Sequence, residues 1–274
     1  MAGQVVRAEV LIPPVTNATG RVILAAIAEK ANEAGVRAHV TSDYKGDAHW
    51  LVMWGIGADN RSAIRDHHIR SGGYVQLWDI GFFKREKVRG FCKVSVNTDY
   101  ATKWLDATEP LPQRWEAVDL KLRDDYDPDG HIIVAGVGPK QRMYMGMSSG
   151  HDCWEARKIE ALRKRFPGRR IIYRPKPRRA APVLRCETDA ESPIEDLLRG
   201  AALVVCMHSN VAVDAVLAGV PFESEDGVST WLRDKPYTPA VREDFCRRIA
   251  RWQYKHFEMG EAWRFLNGVI GAVA

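Results

Sequence analysis

Apolar and polar positions alternate in two rhythms along the first hundred residues. Val5–Ile12 is a nearly continuous apolar run closed by Pro13-Pro14, which predicts a buried strand. Gly20–Ala34 carries apolar residues at helical spacing and stops at Gly35, a residue suited to ending a helix. Val36–Ser42 alternates as a strand does, and His49–Trp54 reads as a third strand. Ala58–Arg70 fits a helix ended by Gly72-Gly73. Tyr74–Asp79 and Phe91–Val96 follow as two more strands. Strands that alternate with helices predict a parallel α/β sheet.

Thr98–Gly130 breaks the rhythm with prolines, Trp104, Trp115 and a cluster of aspartates. The pattern restarts with a strand at His131–Val137, a helix from Asp152 to Phe166 and a strand at Arg169–Tyr173. Ser192–Leu198 reads as a short helix with Pro193 at its first position, and Ala201–Met207 as a buried strand. Asn210–Ala218 is a helix ended by Gly219, and two amphipathic helices follow at Pro239–Tyr254 and Gly260–Val273. The expected architecture is α/β with two Rossmann-like domains facing a cleft. Residues 1–110 form the first domain, 111–130 a crossover and 131–274 the second, with the C-terminal helices packing back toward the first. Ligands of such sheets sit beyond the carboxyl ends of the strands.

Composition adds limits. The chain has 274 residues, 46% hydrophobic and 27% charged, which is ordinary for a globular protein with a sizeable core. The longest wholly apolar stretch, Ala201–Met207, is far below the ~20 residues of a membrane helix, so no stable membrane insertion is expected. No basic segment followed by an apolar one opens the chain. Five scattered cysteines, none in C-x-x-C, read as reduced thiols and set a cytoplasmic expectation. The net charge is +5, but nine basic residues and no acidic one lie between Arg163 and Arg179. A run this dense points to phosphate-bearing partners, a nucleotide, a nucleic acid or both; the plain alternative is a solvated helix face.

Three strand ends carry candidate chemistry. His208-Ser209-Asn210 precedes a helix whose first amides and dipole can hold an anion, although most such starts are plain caps. Gly136-Val137-Gly138-Pro139-Lys140 offers close backbone approach plus a cation, and Arg174-Pro175-Lys176-Pro177 offers two cations held by prolines. Together they favour a nucleotide diphosphate.

Arg-Ile-Ile-Tyr-Arg-Pro-Lys-Pro, then Ser-Pro-Ile-Glu-Asp-Leu-Leu, then Val-Val-Cys-Met-His-Ser-Asn-Val-Ala-Val-Asp-Ala-Val-Leu-Ala-Gly-Val-Pro, spanning 170–221, resembles the donor-binding half of GT-B glycosyltransferases. The likeness is closest to the capsule-polysaccharide type and its small phage-encoded, DNA-modifying relatives. It implies that Arg174 or Lys176, where the family commonly has His, contacts donor phosphate. It implies also that Ser209 and Asn210 hold the diphosphate of a nucleotide sugar; the adjacent strand ends add Gly136, Gly138, Lys140 and His208 to the expected donor set. A UDP-sugar is the expected co-substrate; no cofactor and no metal are required.

Gln76-Leu77-Trp78-Asp79-Ile80-Gly81-Phe82-Phe83, with Arg89 and Val94-Ser95-Val96-Asn97, resembles a segment of phage glycosyltransferase-like proteins. Asp79 at a strand end can deprotonate an acceptor hydroxyl, or else merely close an Asx turn. Trp78, Phe82, Arg89, Arg178 and Arg179 are the expected acceptor contacts, and Trp50 and Trp54 can line the same cleft. The expected activity is hexosyl transfer to a hydroxyl, with 5-hydroxymethylpyrimidine in phage DNA as first acceptor and DNA as partner, in the host cytoplasm. A glycan or lipid-linked acceptor is the alternative, as is a non-catalytic DNA- or nucleotide-binding protein. Asp127-Pro128-Asp129 and His67-His68 are weak metal signals, the first in a Pro/Gly loop and the second on diverging helical faces. Glu223, Glu225 and Asp226 are further candidates for a donor ribose.

Overall fold

A computed structural model describes residues 6–55, 60–177 and 179–271. The chain divides into two compact units, Met1–Val118 together with Arg247–Ala274, and Asp119–Cys246.

The first unit begins with β1 (Val6–Leu11), α1 (Ala18–Lys30), β2 (Val36–Thr41) and β3 (Trp50–Trp54). It continues with α2 (Arg61–Arg70), β4 (Tyr74–Ile80), β5 (Cys92–Val96) and α3 (Pro112–Val118). The Asn17 side chain caps α1 by accepting from the Gly20 amide at 2.8 Å. Ile23, Leu24 and Ile27 of that helix are fully buried. Every residue of β3 is buried, as expected for a strand covered on both faces.

The second unit contains β6 (His131–Ala135), α4 (Pro139–Tyr144), α5 (Trp154–Arg165), β7 (Ile171–Arg174) and β8 (Glu187–Thr188). It goes on with α6 (Ile194–Leu198), β9 (Ala201–Cys206), α7 (Val211–Ala218), β10 (Phe222–Ser224) and the first two-thirds of α8 (Pro239–Ala250), whose last four residues belong to the first unit. Its sheet has the order β10-β9-β6-β7-β8, and all pairs are parallel. Alternate residues of β6 feed two cores. Ile132 and Val134 pack with Trp154, Ile159 and Leu162 of α5, while Ile133 packs with Leu198, Ala215 and Val220. Pro193 lies one place before the helix, in an extended conformation, rather than at its first position.

The last part of the chain, β11 (Gln253–Tyr254) and α9 (Met259–Gly271), completes the first sheet, whose order is β11-β5-β4-β3-β1-β2. Here the structure departs from the expected wholly parallel sheet: β5 runs antiparallel to β4, and β11 antiparallel to β5. The expected helix to Tyr254 stops at Ala250, because Gln253 and Tyr254 turn into the sheet and are almost wholly buried there. The Gln253 side-chain oxygen accepts from the Phe82 and Phe83 amides at 3.0 and 3.1 Å. The Trp263 indole donates to the Ile27 carbonyl at 2.8 Å, which ties α9 to α1. The second unit therefore ends at Cys246, not at residue 274, and the terminal elements pack on the first.

Candidate functional site

Parallel pairing of β6 with β7 and with β9 puts Ala135, Arg174 and Cys206 in one row across the second sheet. The next residues of all three strands therefore leave at the same carboxyl edge. These are Gly136–Lys140, Pro175-Lys176 and Met207–Asn210, so the expected donor residues do come together.

The first two loops touch. The Gly136 amide donates to the Arg174 carbonyl at 2.8 Å. A Cβ on Gly138 would lie 2.9 Å from Cδ of Lys176, so the Lys176 stem rests directly over this glycine. The ammonium groups of Lys176 and Lys140 are on exposed residues. Beneath this loop is a buried ion pair absent from the sequence reading. Glu155, with no exposure at all, accepts from the Val137 amide at 2.9 Å and from the Arg142 guanidinium. Arg142 is 4% exposed and also donates to the Ser148 carbonyl at 2.8 Å. Burial, with the Glu155 charge, pushes the neighbouring Tyr173 phenol well above its ordinary value. An acid in the first turn of a helix was visible in the sequence, but nothing linked Glu155 to Arg142 on a different helix.

After the end of β9, the hydroxyl of Ser209, one residue ahead of the Asn210 N-cap of α7, accepts from the Val211 amide at 3.2 Å. His208 is half-buried beside Gly227. Glu225 accepts from the Trp154 indole at 2.8 Å and pairs with Lys158 at 2.6 Å. Burial opposes its ionisation, but these two donors outweigh it and hold the carboxyl below its ordinary value. Glu223 pairs with Arg165 at 2.5 Å, and Asp226 accepts from the Gly227 amide at 2.7 Å. A half-open cavity of about 430 Å³ begins beside Cys206, bounded by Lys158, Phe222, Glu225, Arg233 and Tyr237.

Several expected contacts are placed elsewhere. Arg174 is 9% exposed and donates to the Asp189 carbonyl at 2.9 Å, which directs its guanidinium to the β8 side instead of the loop edge. Trp78 and Phe82 are each 1% exposed and belong to the core of the first unit, as do Trp50 and Trp54. Trp78 is held there by an indole bond to Gln76 at 3.0 Å and by the Tyr254 ring, so it is not a free sugar platform. Asp79 is exposed, lies within β4 opposite Lys93 of β5, and accepts from the amide of Ile80 at 2.8 Å, so it closes no turn. Arg89 and Arg179 are exposed, and Arg178 lies outside the described residues. The Asp127 carboxylate accepts from the Asp129 amide at 2.9 Å, a turn within the loop. His67 and His68 share Tyr44 as partner, at 3.2 and 3.0 Å.

The basic run is largely matched where it stands. Lys164 pairs with Glu160 at 3.0 Å, Arg165 with Glu223, Arg169 with Asp129 at 3.9 Å, and Arg170 with Glu187 at 2.5 Å. Arg163 donates to the Arg185 carbonyl. Most of its charge is thus shared with neighbours of the same unit.

No protein-family model matches the chain, and no curated protein matches it by sequence. Its fold does match solved structures. One is the Thermosulfurimonas dismutans KpsC beta Kdo 2,7 transferase, at 14% identity and TM-score 0.55, over 96% of this chain and 99% of that one. Another is the beta Kdo 2,4 transferase of the same organism's KpsC, at 11% identity and TM-score 0.57, over 90% of this chain and 91% of that one. The fold is accordingly of the GT-B, Rossmann-like kind. Among the described residues, no helix is long and apolar enough to cross a membrane.

Proposed function

We propose that the protein transfers a sugar from a nucleotide diphosphate to a hydroxyl group, with a UDP-sugar as the first donor to test. The observation that carries this reading is the single row of strand ends at Ala135, Arg174 and Cys206. Gly136 and Gly138 would admit the diphosphate close to the backbone, and Lys140 and Lys176 would face it with two cations. Ser209 and Asn210 would present the first amides of α7, while His208 and the adjoining cavity would border the nucleoside. When the anomeric carbon–oxygen bond breaks, its electron pair leaves on the diphosphate. Cations and oriented amides at that position stabilise the developing charge. Asp79 is the proposed base that takes the acceptor proton. Arg174 acts by positioning the loop through Asp189. The Kdo transferase likeness adds an activated Kdo to the donor panel.

The acceptor we propose first is a glycan or lipid-linked hydroxyl. The nucleic-acid reading, with hydroxymethylpyrimidine as target, drew on a basic run that is now largely paired. It keeps Arg89 and Arg179 as its exposed cations. The Asp79 carboxylate is already engaged by the Ile80 amide, which favours a second reading, a nucleotide-binding protein without transfer activity. The cytoplasmic reading rests on five free thiols.

Incubation with a panel of nucleotide sugars, with glycan and hydroxymethylated DNA acceptors, followed by mass spectrometry, tests all three. Transfer to a glycan supports the first reading. DNA binding whose log affinity falls with log salt at a slope near −3.6, for about four phosphates, supports the second acceptor. Nucleotide binding without transfer or donor hydrolysis supports the third. No calorimetric binding of any nucleotide diphosphate would remove the donor site itself.

A further inference from the structure

Glu9 occupies the middle of β1 with no exposure, in a strand where apolar residues otherwise fill the buried positions. A buried carboxylate is costly unless it is bonded. Both of its oxygens are used by the β2–β3 connection, which folds across it. The Lys45 amide donates to one oxygen at 2.6 Å and the Gly46 amide to the other at 2.9 Å. Gly46 takes φ +75, a left-handed conformation that lets successive amides turn inward. Each oxygen of an ionised carboxylate retains further acceptor capacity.

That capacity is directed toward two other ligating groups. Parallel pairing of β1 with β2 sets Glu9 opposite His39, so both project from the same face. Asp47 belongs to the connection that Glu9 holds down. One ligand atom from each of Glu9, His39 and Asp47 lies within 4.8 Å of the others. Arg7 is the competing cation, 3.8 Å from the Asp47 carboxylate. Both side chains are more than half exposed, so the ion pair is weak. The stronger Arg7 contact is to the Asp47 main-chain oxygen at 2.5 Å, which leaves the carboxylate for a cation.

We propose that Glu9, His39 and Asp47 form a site for a first-row divalent cation of the zinc class. Two carboxylates supply charge, and the imidazole favours zinc, nickel or cobalt over magnesium and calcium. Three protein ligands leave room for water in the remaining position. The cation would fasten the 42–49 connection to the β1–β2 edge of the first sheet. This site shares no residue with the donor site proposed above, and it stands or falls independently of it.

The test is titration of the chelator-treated full chain with zinc chloride, read by calorimetry and by thermal melting. The proposal expects one saturable equivalent, a raised Tm, and no competition from excess magnesium. His39→Ala and Asp47→Asn, both at exposed positions, should each weaken zinc binding roughly ten-fold or more and abolish the Tm shift. Circular dichroism should show both variants folded; a variant that is not folded is replaced by His39→Gln or Asp47→Ser. Absence of a saturable equivalent overturns the site. So does binding that keeps its affinity in both variants, or anomalous scattering that locates the ion at His67 or His151.

Discussion

Arg174 donates from one guanidinium nitrogen to both the main-chain oxygen of Asp189, at 2.9 Å, and its carboxylate, at 3.3 Å. The same carboxylate accepts from the Glu191 and Ser192 amides at 3.0 and 2.9 Å. Arg174 is thereby the link between the end of β7 and the turn after β8, while Lys176, two residues on, is exposed. Arg174→Ala should lower unfolding stability by about 1.5–3 kcal/mol, the range for bonds to charged groups. Lys176→Ala should weaken nucleotide diphosphate binding by a similar ~1.5–3 kcal/mol with Tm unchanged. Urea unfolding and calorimetry on both variants check this division, and the reverse pattern would return Arg174 to the ligand.

Asp189 also sets an acid limit. The Ser192 hydroxyl and amide are the main causes that hold its carboxyl below the ordinary 3.8, with Arg174 adding a smaller part. Above 3.8 both folded and unfolded states are ionised, and the stabilisation is fully present. Between 3.8 and the lower folded value the unfolded state binds more protons, so stability is lost as pH falls. Asp189→Asn should therefore flatten the dependence of Tm on pH below about 4, a slope that thermal melts across an acid series measure directly.

Glu155 and Arg142 form a buried pair whose halves need each other. Glu155→Ala leaves the Arg142 charge uncompensated and frees the Val137 amide, so a loss of about 3–5 kcal/mol is expected. Replacing both partners by apolar residues should cost much less, since neither charge then remains buried. Denaturant unfolding of the single and double variants measures the difference. Equal losses would mean that the pair does not act as a unit.

Asp79→Asn preserves the acceptor oxygen that the Ile80 amide uses but removes basicity. If Asp79 is the base, kcat should fall by ~10²–10⁴ with donor affinity nearly unchanged. Turnover close to that of the parent would leave the residue its bond to the Ile80 amide and nothing more.

The second unit was the more legible from sequence. Its central strands β6, β7 and β9 are short, mainly apolar runs, the first two closed by Gly136 and Pro175. Gly219 marks the end of α7 with φ 78; the short edge strands β8 and β10 carry no such pattern. Three adjacent strand ends could be inferred because βαβ units place sequential strands in one sheet. Strand direction in the first unit was less legible, because alternation is the same for parallel and antiparallel partners. β11 was missed for another reason: only two residues pair, directly after an amphipathic helix. Trp78 and Phe82 looked like ligand platforms because aromatic side chains near a strand end read alike in either role. Their burial depends on Gln253 and Tyr254, far along the chain, which no local pattern announces. The charge of Arg163–Arg170 was plain, but apart from Glu160 on the same helix its partner carboxylates, Asp129, Glu187 and Glu223, come from other elements and only the fold brings them near.

The insertion of residues 119–246 within the first unit gives synthesis an order. The second unit is one continuous stretch of chain and can close its sheet as soon as it leaves the ribosome. The first has its β4–β5 side finished by a strand made last, and until then Phe82, Phe83 and the antiparallel edge of β5 lack their cover. Long-range pairing of this kind is slow, and exposed edges recruit wrong partners. A nascent chain halted before Gln253 is thus the species of this protein that most needs a chaperone.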